Sequence, residues 1–418
     1  MHATQHTPSS DMWFNWNNVP VEEPEPPAPD AADGILFDET LRDGIQAPNV
    51  RTPSIDEKLR IVDFMAEVGV GSADLGFPGS GPAAAEQCAR IARHIADRGL
   101  PIAQGYAGRT HPADIAAICG VSQSAGVRVE AYAFIGVSPI RQYVEDWDLD
   151  MIKANIVESA DSCRREDVEF VLVLEDTVRC TPEILGQIYD VAIDCGVGRV
   201  TLCDTVGAAV PAGTASLIRW TTRYFADRGR PVGLDWHGHN DRGLALANSL
   251  TALALGCQRV HGTILGVGER AGNASIDQLI VNHHLEDGSA YDLLALRRYC
   301  DYAADVLGVD IPDNYPAMGR DVFKTSAGVH ATAILKAHEK GNQRVKDTVY
   351  SSVPASSLGR AQEVLIDSSS GANNIRYWLT MHGFPVEDSS IKRILDTAKT
   401  STTPLDDQQI RQMLAEVS

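Results

Sequence analysis

Two histidines separated by a single residue are the first side chains whose types and spacing could do chemistry. His237 and His239 follow an apolar run that ends at Leu234. Side chains alternate faces along a strand, so both imidazoles would point the same way and could converge on one metal ion. The pattern predicts a metal-binding strand end, provided that carboxylates and a substrate-binding cation lie at comparable strand ends. The alternative is a pair of histidines in a polar loop.

The elements that would position these histidines follow a regular rhythm. Short β-rich runs alternate with segments of helical spacing, at 35–40, 72–77, 102–107, 127–136, 169–175, 199–204, 232–239 and 259–265. After the first run, Ile55, Leu59 and Val62 recur at helical intervals, with Ser54 as a plausible N-cap and Gly69 as a plausible stop. Eight such units predict an α/β chain built as a (β/α)8 TIM barrel. The alternative, an open doubly wound sheet, is disfavoured because no Gly-rich dinucleotide turn follows the first run.

Polar residues gather where the predicted strands end, which is where barrel enzymes place their active side chains. They are Asp38 to Asp43 after the first strand, Asp74 in the second, Glu175 and Asp176 after the fifth, Asp204 and Thr205 after the sixth, and His237 and His239 after the seventh. Carboxylates inside apolar strands are costly unless they are paired or bind an ion. We therefore expect one catalytic site at this end of the barrel.

The chain of 418 residues has room for one large barrel and a smaller unit. Residues 1–33 are rich in proline and acidic residues, which predicts a disordered tail, although an aromatic cluster at 12–16 could dock on the body or on a partner subunit. Residues 34–289 form the predicted catalytic barrel. Residues 290–418 are predicted to be a mainly helical C-terminal accessory region.

Composition narrows the class of protein. The formal net charge of −20 argues against nucleic-acid binding and against an anionic membrane surface. We find no apolar run of membrane-spanning length and no signal-peptide pattern at the N-terminus. The eight cysteines are scattered without a C-x-x-C pair, which predicts reduced thiols and a cytoplasmic location.

Three motifs together resemble one enzyme family. They are Asp38-Glu-Thr-Leu-Arg-Asp-Gly-Ile-Gln46, His237-Gly-His-Asn-Asp241 and Gly268-Glu-Arg-Ala-Gly-Asn-Ala274. They are similar to those of the DRE-TIM metallolyases, and among these to the acyltransferases that make 2-isopropylmalate, homocitrate or citramalate. The resemblance implies an EC 2.3.3-type condensation of acetyl-CoA with a 2-oxo acid, releasing CoA and a 2-hydroxy dicarboxylic acid.

The resemblance also implies the site. It makes Asp43, His237 and His239 ligands of a divalent metal, with Asn273 as a further ligand. These donors suit Zn, Mn, Mg or Co, and the sequence does not choose among them. The metal would polarise the keto group. Arg42 would stabilise the developing alkoxide or enolate, the alternative being an ion pair with a barrel carboxylate.

Further positions would contact the substrate. By resemblance, Glu175 lies beside it and Thr205 reaches its carboxylate. Tyr132 stands where isopropylmalate synthases carry a histidine, and Asp74 stands where a glutamate is common. These departures predict a changed pocket, and they leave open 2-oxoisovalerate, pyruvate, 2-oxoglutarate and aromatic 2-oxo acids (the citramalate, homocitrate or benzylmalate types of reaction).

The proton of acetyl-CoA needs a base, and His330 with Tyr350 is the candidate pair because imidazole titrates near working pH. In relatives this region reaches the active site of the partner subunit, so the resemblance implies a homodimer with shared active sites. Thr332 departs from the family, where an acidic residue is usual. A histidine on a helix surface is the alternative. The chain ends without room for a full regulatory domain, so we expect no leucine inhibition of the usual type.

Two other classes remain as alternatives. A lyase of the same superfamily would cleave a hydroxyacyl-CoA, but lyases of the hydroxymethylglutaryl-CoA type use a cysteine in the loop that here spans 266–273 and contains none. A non-catalytic scaffold would have no need of an arginine beside a metal site. The residues therefore favour the synthase.

Overall fold

The described part of the chain divides into two compact units. The computed structural model describes residue 14 and residues 16–19, 36–288, 291–341 and 343–415. The first unit extends to Asp310 and the second begins at Ile311. Within these ranges, we find no helix that combines the length and the apolar character needed to cross a membrane.

Eight parallel strands close into a barrel in the first unit, in the same order as in the sequence. The first strand pairs with the second on one side and with the eighth on the other, which closes the cylinder. The predicted TIM barrel is therefore confirmed, and the open doubly wound sheet is excluded. The strands are β1 (Leu36–Asp38), β2 (Ser72–Asp74), β3 (Ala103–Arg109), β4 (Glu130–Gly136), β5 (Glu169–Glu175), β6 (Arg199–Asp204), β7 (Gly233–Gly238) and β8 (Arg259–Gly262).

Helices between the strands form the outer layer. The first of them begins with a capping box, in which the Ser54 hydroxyl accepts the Glu57 amide and the Glu57 carboxylate accepts the Ser54 amide. It ends at Gly69, whose φ of 98° suits glycine. The helices are α1 (Ile55–Val68), α2 (Pro82–Arg98), α3 (Pro112–Ala125), α4 (Pro139–Glu145), α5 (Leu149–Arg165), α6 (Pro182–Asp194), α7 (Pro211–Asp227), α8 (Ala245–Ala254), α9 (Ile276–Asp287) and α10 (Leu293–Leu307).

Because of α10, the boundary between the two units lies later in the chain than sequence analysis predicts. Sequence analysis places it after residue 289, whereas the first unit continues to Asp310. The reason is that α10 packs on α1: the Tyr299 ring stacks on Phe64 with centroids 6.1 Å apart, and its hydroxyl donates to Asp38 Oδ2 at 3.0 Å. A helix anchored to β1 in this way belongs to the barrel.

A short N-terminal segment, residues 16–19, docks on the outer layer, and we call it the N-terminal clip. Trp16 is fully buried; its indole nitrogen donates to the carbonyl of Cys180 at 3.1 Å and its ring lies 5.4 Å from that of Trp220. Asn17 Oδ1 accepts the amide of Val210 at 2.8 Å. These contacts lie on the body of the same chain. Most of the predicted tail lies outside the described residues.

The second unit is mainly helical, as predicted. It contains a pair of short parallel strands, β9 (Lys324–Thr325) and β10 (Glu363–Val364). Its helices are α11 (Gly328–Glu339), α12 (Gln343–Thr348), α13 (Ala372–Met381), α14 (Asp388–Thr400) and α15 (Asp407–Ala415). A hydrophobic core joins α13, α14 and α15 through Ile375, Leu379, Ile394 and Ile410.

Candidate active site

A cavity at the carboxyl end of the barrel collects most of the residues that the sequence singled out. Its volume is about 280 Å³. Because the strands are parallel, the residues that follow them meet at this end. Eight of the predicted site residues line the cavity: Arg42, Asp43, Asp74, Tyr132, Glu175, Thr205, His237 and His239.

Three of them form a compact, buried set of metal-binding atoms. Potential ligand atoms of Asp43, His237 and His239 all lie within 4.8 Å of one another. Asp43 Oδ2 is 3.7 Å from His237 Nε2 and 3.6 Å from His239 Nε2. Burial and the neighbouring His237 lower the pKa of His239 to about 4. His239 is therefore neutral at pH 7, which is the form that binds metals.

The loop between β8 and α9 brings Asn273 to the same place. Asn273 forms an antiparallel β-bridge with His239, and its backbone N–H donates to the carbonyl of Gly266 at 3.1 Å. Among the described residues, buried Asp43 Oδ1 and both polar side-chain atoms of Asn273 have no hydrogen-bond partner. Buried polar atoms rarely stay unpaired. An imidazole pair, a carboxylate and an amide oxygen therefore fit a divalent metal ion.

Arg42 lies at the centre of a ring of carboxylates. Its Nε, Nη1 and Nη2 donate to Asp74 at 3.0 Å, Asp43 at 3.2 Å and Glu39 at 2.8 Å respectively. Burial raises the pKa of Asp74 to about 6, although Arg42 opposes the shift. One guanidinium does not balance three buried carboxylates, so the remaining negative charge favours a cation. A guanidinium has five N–H donors, which leaves two for a substrate.

Sequence reasoning missed the residues beneath the histidines. Glu39 Oε2 accepts His237 Nδ1–H at 2.7 Å, and Glu39 Oε1 accepts His261 Nδ1–H at 3.0 Å. His261 Nε2 faces Asp235 Oδ2 at 3.4 Å. Burial disfavours the charged form of His261, but Glu39 and Asp235 outweigh it and raise its pKa to about 9. The period of two that links His237 to His239 also links it to Asp235, so this signal could have found Asp235 but not Glu39 or His261.

Tyr132, which we expect to contact the substrate, reaches both the cavity and the barrel interior. Its ring lines the cavity, but its hydroxyl donates to Asp235 Oδ2 at 3.2 Å and accepts from Arg259 Nη1 at 2.7 Å. The hydroxyl is therefore held by the barrel interior. Its ring packs on Phe37 with centroids 4.5 Å apart. Any contact with a substrate would be made by the ring.

Glu175 and Thr205 lie on the opposite side of the cavity from β1. Glu175 Oε1 is 3.0 Å from Arg141 Nε, and burial raises the pKa of Glu175. The Thr205 hydroxyl accepts the amide of Asp176 at 2.9 Å. Glu175 is the last residue of β5 and Thr205 follows β6, the strands that the sequence assigned to them.

His330 and Tyr350 belong to the second unit. Their rings pack against each other with centroids 4.0 Å apart, and both residues are exposed. His330 lies in the first turn of α11. Their role in proton transfer stays a prediction.

Comparisons with known proteins agree with the geometry. The family model described as HMGL-like matches residues 34–304. The 2-isopropylmalate synthase of Methylacidiphilum infernorum is 32% identical over 375 residues, covering 87% of this chain and 71% of the relative. A putative (R)-citramalate synthase of Methanopyrus kandleri is 29% identical, covering 87% and 68% respectively.

Solved structures share the fold. The hydroxymethylglutaryl-CoA lyase of Bacillus subtilis superposes with a TM-score of 0.55 at 19% identity, covering 68% of this chain and 97% of the lyase. At this identity the likeness shows the fold alone. The resemblance predicted from the motifs is confirmed by the sequence matches: the chain belongs to the HMGL-like family and, within it, is similar to enzymes named 2-isopropylmalate synthase and citramalate synthase.

Proposed function

We propose that this protein is an acyltransferase that condenses acetyl-CoA with a 2-oxo acid, in the manner of 2-isopropylmalate synthase. The observation that carries the proposal is the set of Asp43, His237 and His239 beside Arg42 in one cavity. The reaction removes a methyl proton from acetyl-CoA, the resulting carbanion attacks the keto carbon, and the keto oxygen takes up a proton to become the 2-hydroxyl group. Water then hydrolyses the thioester and releases CoA as a free thiol together with a 2-hydroxy dicarboxylic acid.

Asp43, His237 and His239 would hold a divalent metal ion, with Asn273 as the fourth protein donor. When bound, such an ion acts as a Lewis acid on the keto group of a 2-oxo acid. Arg42 has two N–H groups beyond those that contact Glu39, Asp43 and Asp74, and these would stabilise the negative oxygen as it forms. The Thr205 hydroxyl would donate a hydrogen bond to the substrate carboxylate.

The cavity favours a 2-oxo acid with an uncharged side chain. Arg42 is the one arginine or lysine among the described residues that line it, and three carboxylates already surround its guanidinium. The apolar lining comes from Phe77, Ala107, Phe134 and Val173. A second carboxylate, as in 2-oxoglutarate, would be buried there without a partner, which is strongly unfavourable. Branched, short aliphatic or aromatic side chains meet no such penalty.

The base and the assembly come from the family resemblance. We propose that His330, with Tyr350 packed on it, takes the proton from acetyl-CoA, and that Glu175 assists the transfer. Burial raises the pKa of Glu175, which favours a carboxyl group able to carry a proton. We further propose a homodimer in which His330 of one copy serves the other copy's cavity.

The test is thiol release from acetyl-CoA, with added Mg, Mn or Zn and a panel of 2-oxo acids. We expect release with one or more of 2-oxoisovalerate, pyruvate and phenylpyruvate, and none with 2-oxoglutarate. Asp43→Asn should abolish release, because it removes the charge of a metal ligand while keeping its size. Asp190→Asn is the matched control, since Asp190 lies on α6, where it pairs with Arg228. If none of the 2-oxo acids supports thiol release and the protein instead cleaves a hydroxyacyl-CoA, the synthase proposal is wrong and the lyase takes its place.

A further inference from the structure

The interior of the barrel beneath the metal-binding set is charged, although TIM barrels usually fill this space with apolar side chains. Residues after β1 and within β7 and β8 form a continuous row of hydrogen bonds. We call it the interior network, and it consists of His237, Glu39, His261 and Asp235. The links measure 2.7 Å, 3.0 Å and 3.4 Å in that order. The mechanism proposed above uses only the first member.

The far end of the interior network, Asp235, is held by residues of other strands. Asp235 Oδ1 accepts Arg199 Nη1 at 2.6 Å, and Asp235 Oδ2 accepts the Tyr132 hydroxyl at 3.2 Å. Asp235 and His261 are both almost completely buried. The Phe37 ring packs on His261 with centroids 4.5 Å apart. The imidazole of His261 therefore has neighbours on its face as well as at both nitrogens, and its position is strongly determined.

The pattern of donors and acceptors fixes the protons. A carboxylate only accepts hydrogen bonds. Both nitrogens of His261 face carboxylate oxygens, so both must carry a proton. Glu39 accepts from His261 through Oε1 and from His237 through Oε2. His237 therefore donates from Nδ1 to Glu39, and its Nε2, which lies 3.7 Å from Asp43 Oδ2, is the nitrogen directed at the metal-binding set.

We propose that His261 is a positioning residue, which holds Glu39 so that Glu39 fixes the tautomer and orientation of His237 for metal binding. The inference rests on the proposed metal site but not on the proposed reaction. Groups that orient metal-binding histidines typically affect metal affinity by about 10–100-fold. His261 would exert this effect without touching the metal.

Two substitutions of His261 distinguish a positioning role from a role in packing alone. The amide nitrogen of asparagine is as many bonds from Cα as His Nδ1, and that of glutamine as many as His Nε2. His261→Asn therefore keeps a donor toward Glu39 and loses the one toward Asp235, whereas His261→Gln does the reverse. Both variants are neutral, polar and smaller than histidine, so a structural role predicts similar losses in both.

The measurement is the dissociation constant for Zn²⁺ and for Mn²⁺, by competition with a chromophoric chelator on metal-stripped full-length protein. We expect the His261→Gln constant to rise about 10–100-fold and the His261→Asn constant to stay close to wild type. Tyr189→Phe is the control for loss of a buried hydrogen bond, because Tyr189 pairs with Thr221 in the outer layer at 3.0 Å. It should leave the constant unchanged.

Equal constants in the two His261 variants, or wild-type affinity in both, would overturn the proposal. So would a wild-type protein that binds neither metal. Because no substrate is present, failure of the condensation assay is a separate result. A protein that shows the difference between asparagine and glutamine but releases no thiol would keep the positioning role and lose the proposed reaction. If His261→Gln does not fold, His261→Leu takes its place, because leucine also removes the donor toward Glu39; wild-type metal affinity in that variant would contradict the proposal.

Discussion

Replacing Gly268 with alanine should weaken metal binding through Asn273. A Cβ atom at this position would lie 1.9 Å from Asn273 Oδ1 and 3.4 Å from Asp43 Oδ1. Contacts shorter than 3.0 Å essentially do not occur for real Cβ atoms. Asn273 Oδ1 would therefore have to move by more than one ångström. Gly268 is not among the residues with positive φ, so the substitution tests space and not backbone strain.

The expected effect follows from the position of Asn273. Its polar atoms are buried without a protein partner, and Asp43 and His239 lie beside it. Displacing one member of such a set should raise the metal dissociation constant by about 10–100-fold, or about 1.4–2.7 kcal/mol. Competition with a chromophoric chelator measures this constant directly. Thermal unfolding with and without metal gives a second value, because a ligand that binds only the folded state stabilises it.

Gly120→Ala is the matched control. Gly120 lies inside α3, and a Cβ atom there would meet nothing within 4 Å. Alanine in a helix is more favourable than glycine by about 0.5–1 kcal/mol, so this variant should be slightly more stable and bind metal normally. A folded Gly268→Ala protein with wild-type metal affinity would refute the reasoning, since it would show that Asn273 takes no part in holding the ion.

Three further substitutions test the interior and the surface of the barrel. Burial raises the pKa of Asp38 from 3.8 to about 6. Its protonated form favours folding, and this stability is present below pH 4 and lost as the pH rises through about 6. The free energy of unfolding of Asp38→Asn should therefore exceed that of wild type by up to about 3 kcal/mol at pH 7.5 and equal it near pH 3.5. A difference in melting temperature that is the same at both pH values would contradict this. Arg259→Met leaves Glu130, its partner at 2.6 Å, unpaired and should cost about 3–5 kcal/mol by calorimetry; adding Glu130→Gln should recover part of the loss, and no recovery would argue against the pair. Trp16→Ala should release the N-terminal clip and speed hydrogen exchange at the Val210 amide, with a small change in melting temperature because a terminal segment can detach alone; unchanged exchange would show that the clip does not need its tryptophan.

Local patterns in the sequence predicted the features that depend on neighbouring residues. The eight strands, the cap at Ser54 and the shared direction of His237 and His239 all follow from spacing within a few positions. The barrel rule then placed the residues that follow different strands in one cavity. Recognition of Arg42 and Asp43 as part of that cavity needed no contact information.

The features that sequence analysis missed depend on contacts between distant parts of the chain. Glu39 reads as one more polar residue after a strand, and only closure of the barrel puts it against His237, 198 positions later. The boundary after Asp310 depends in the same way on Tyr299, whose hydroxyl bonds to Asp38 across 261 positions. No periodicity reports such pairs, because nothing in the local sequence states which strand will lie beside which.

The N-terminal clip has a consequence for the order in which the protein is made. Asn17 bonds to the amide of Val210, 193 positions later. Ribosomes add about 5–20 residues per second, so the partner of Asn17 emerges on the order of 10–40 s after it. During that interval the aromatic residues around Trp16 have no place to dock on the nascent chain. The acidic, proline-rich run at residues 21–30 follows them directly. Charge and proline beside an exposed apolar segment oppose aggregation. The run at residues 21–30 is therefore placed to oppose association of these aromatic residues while the first six strands of the barrel are synthesised.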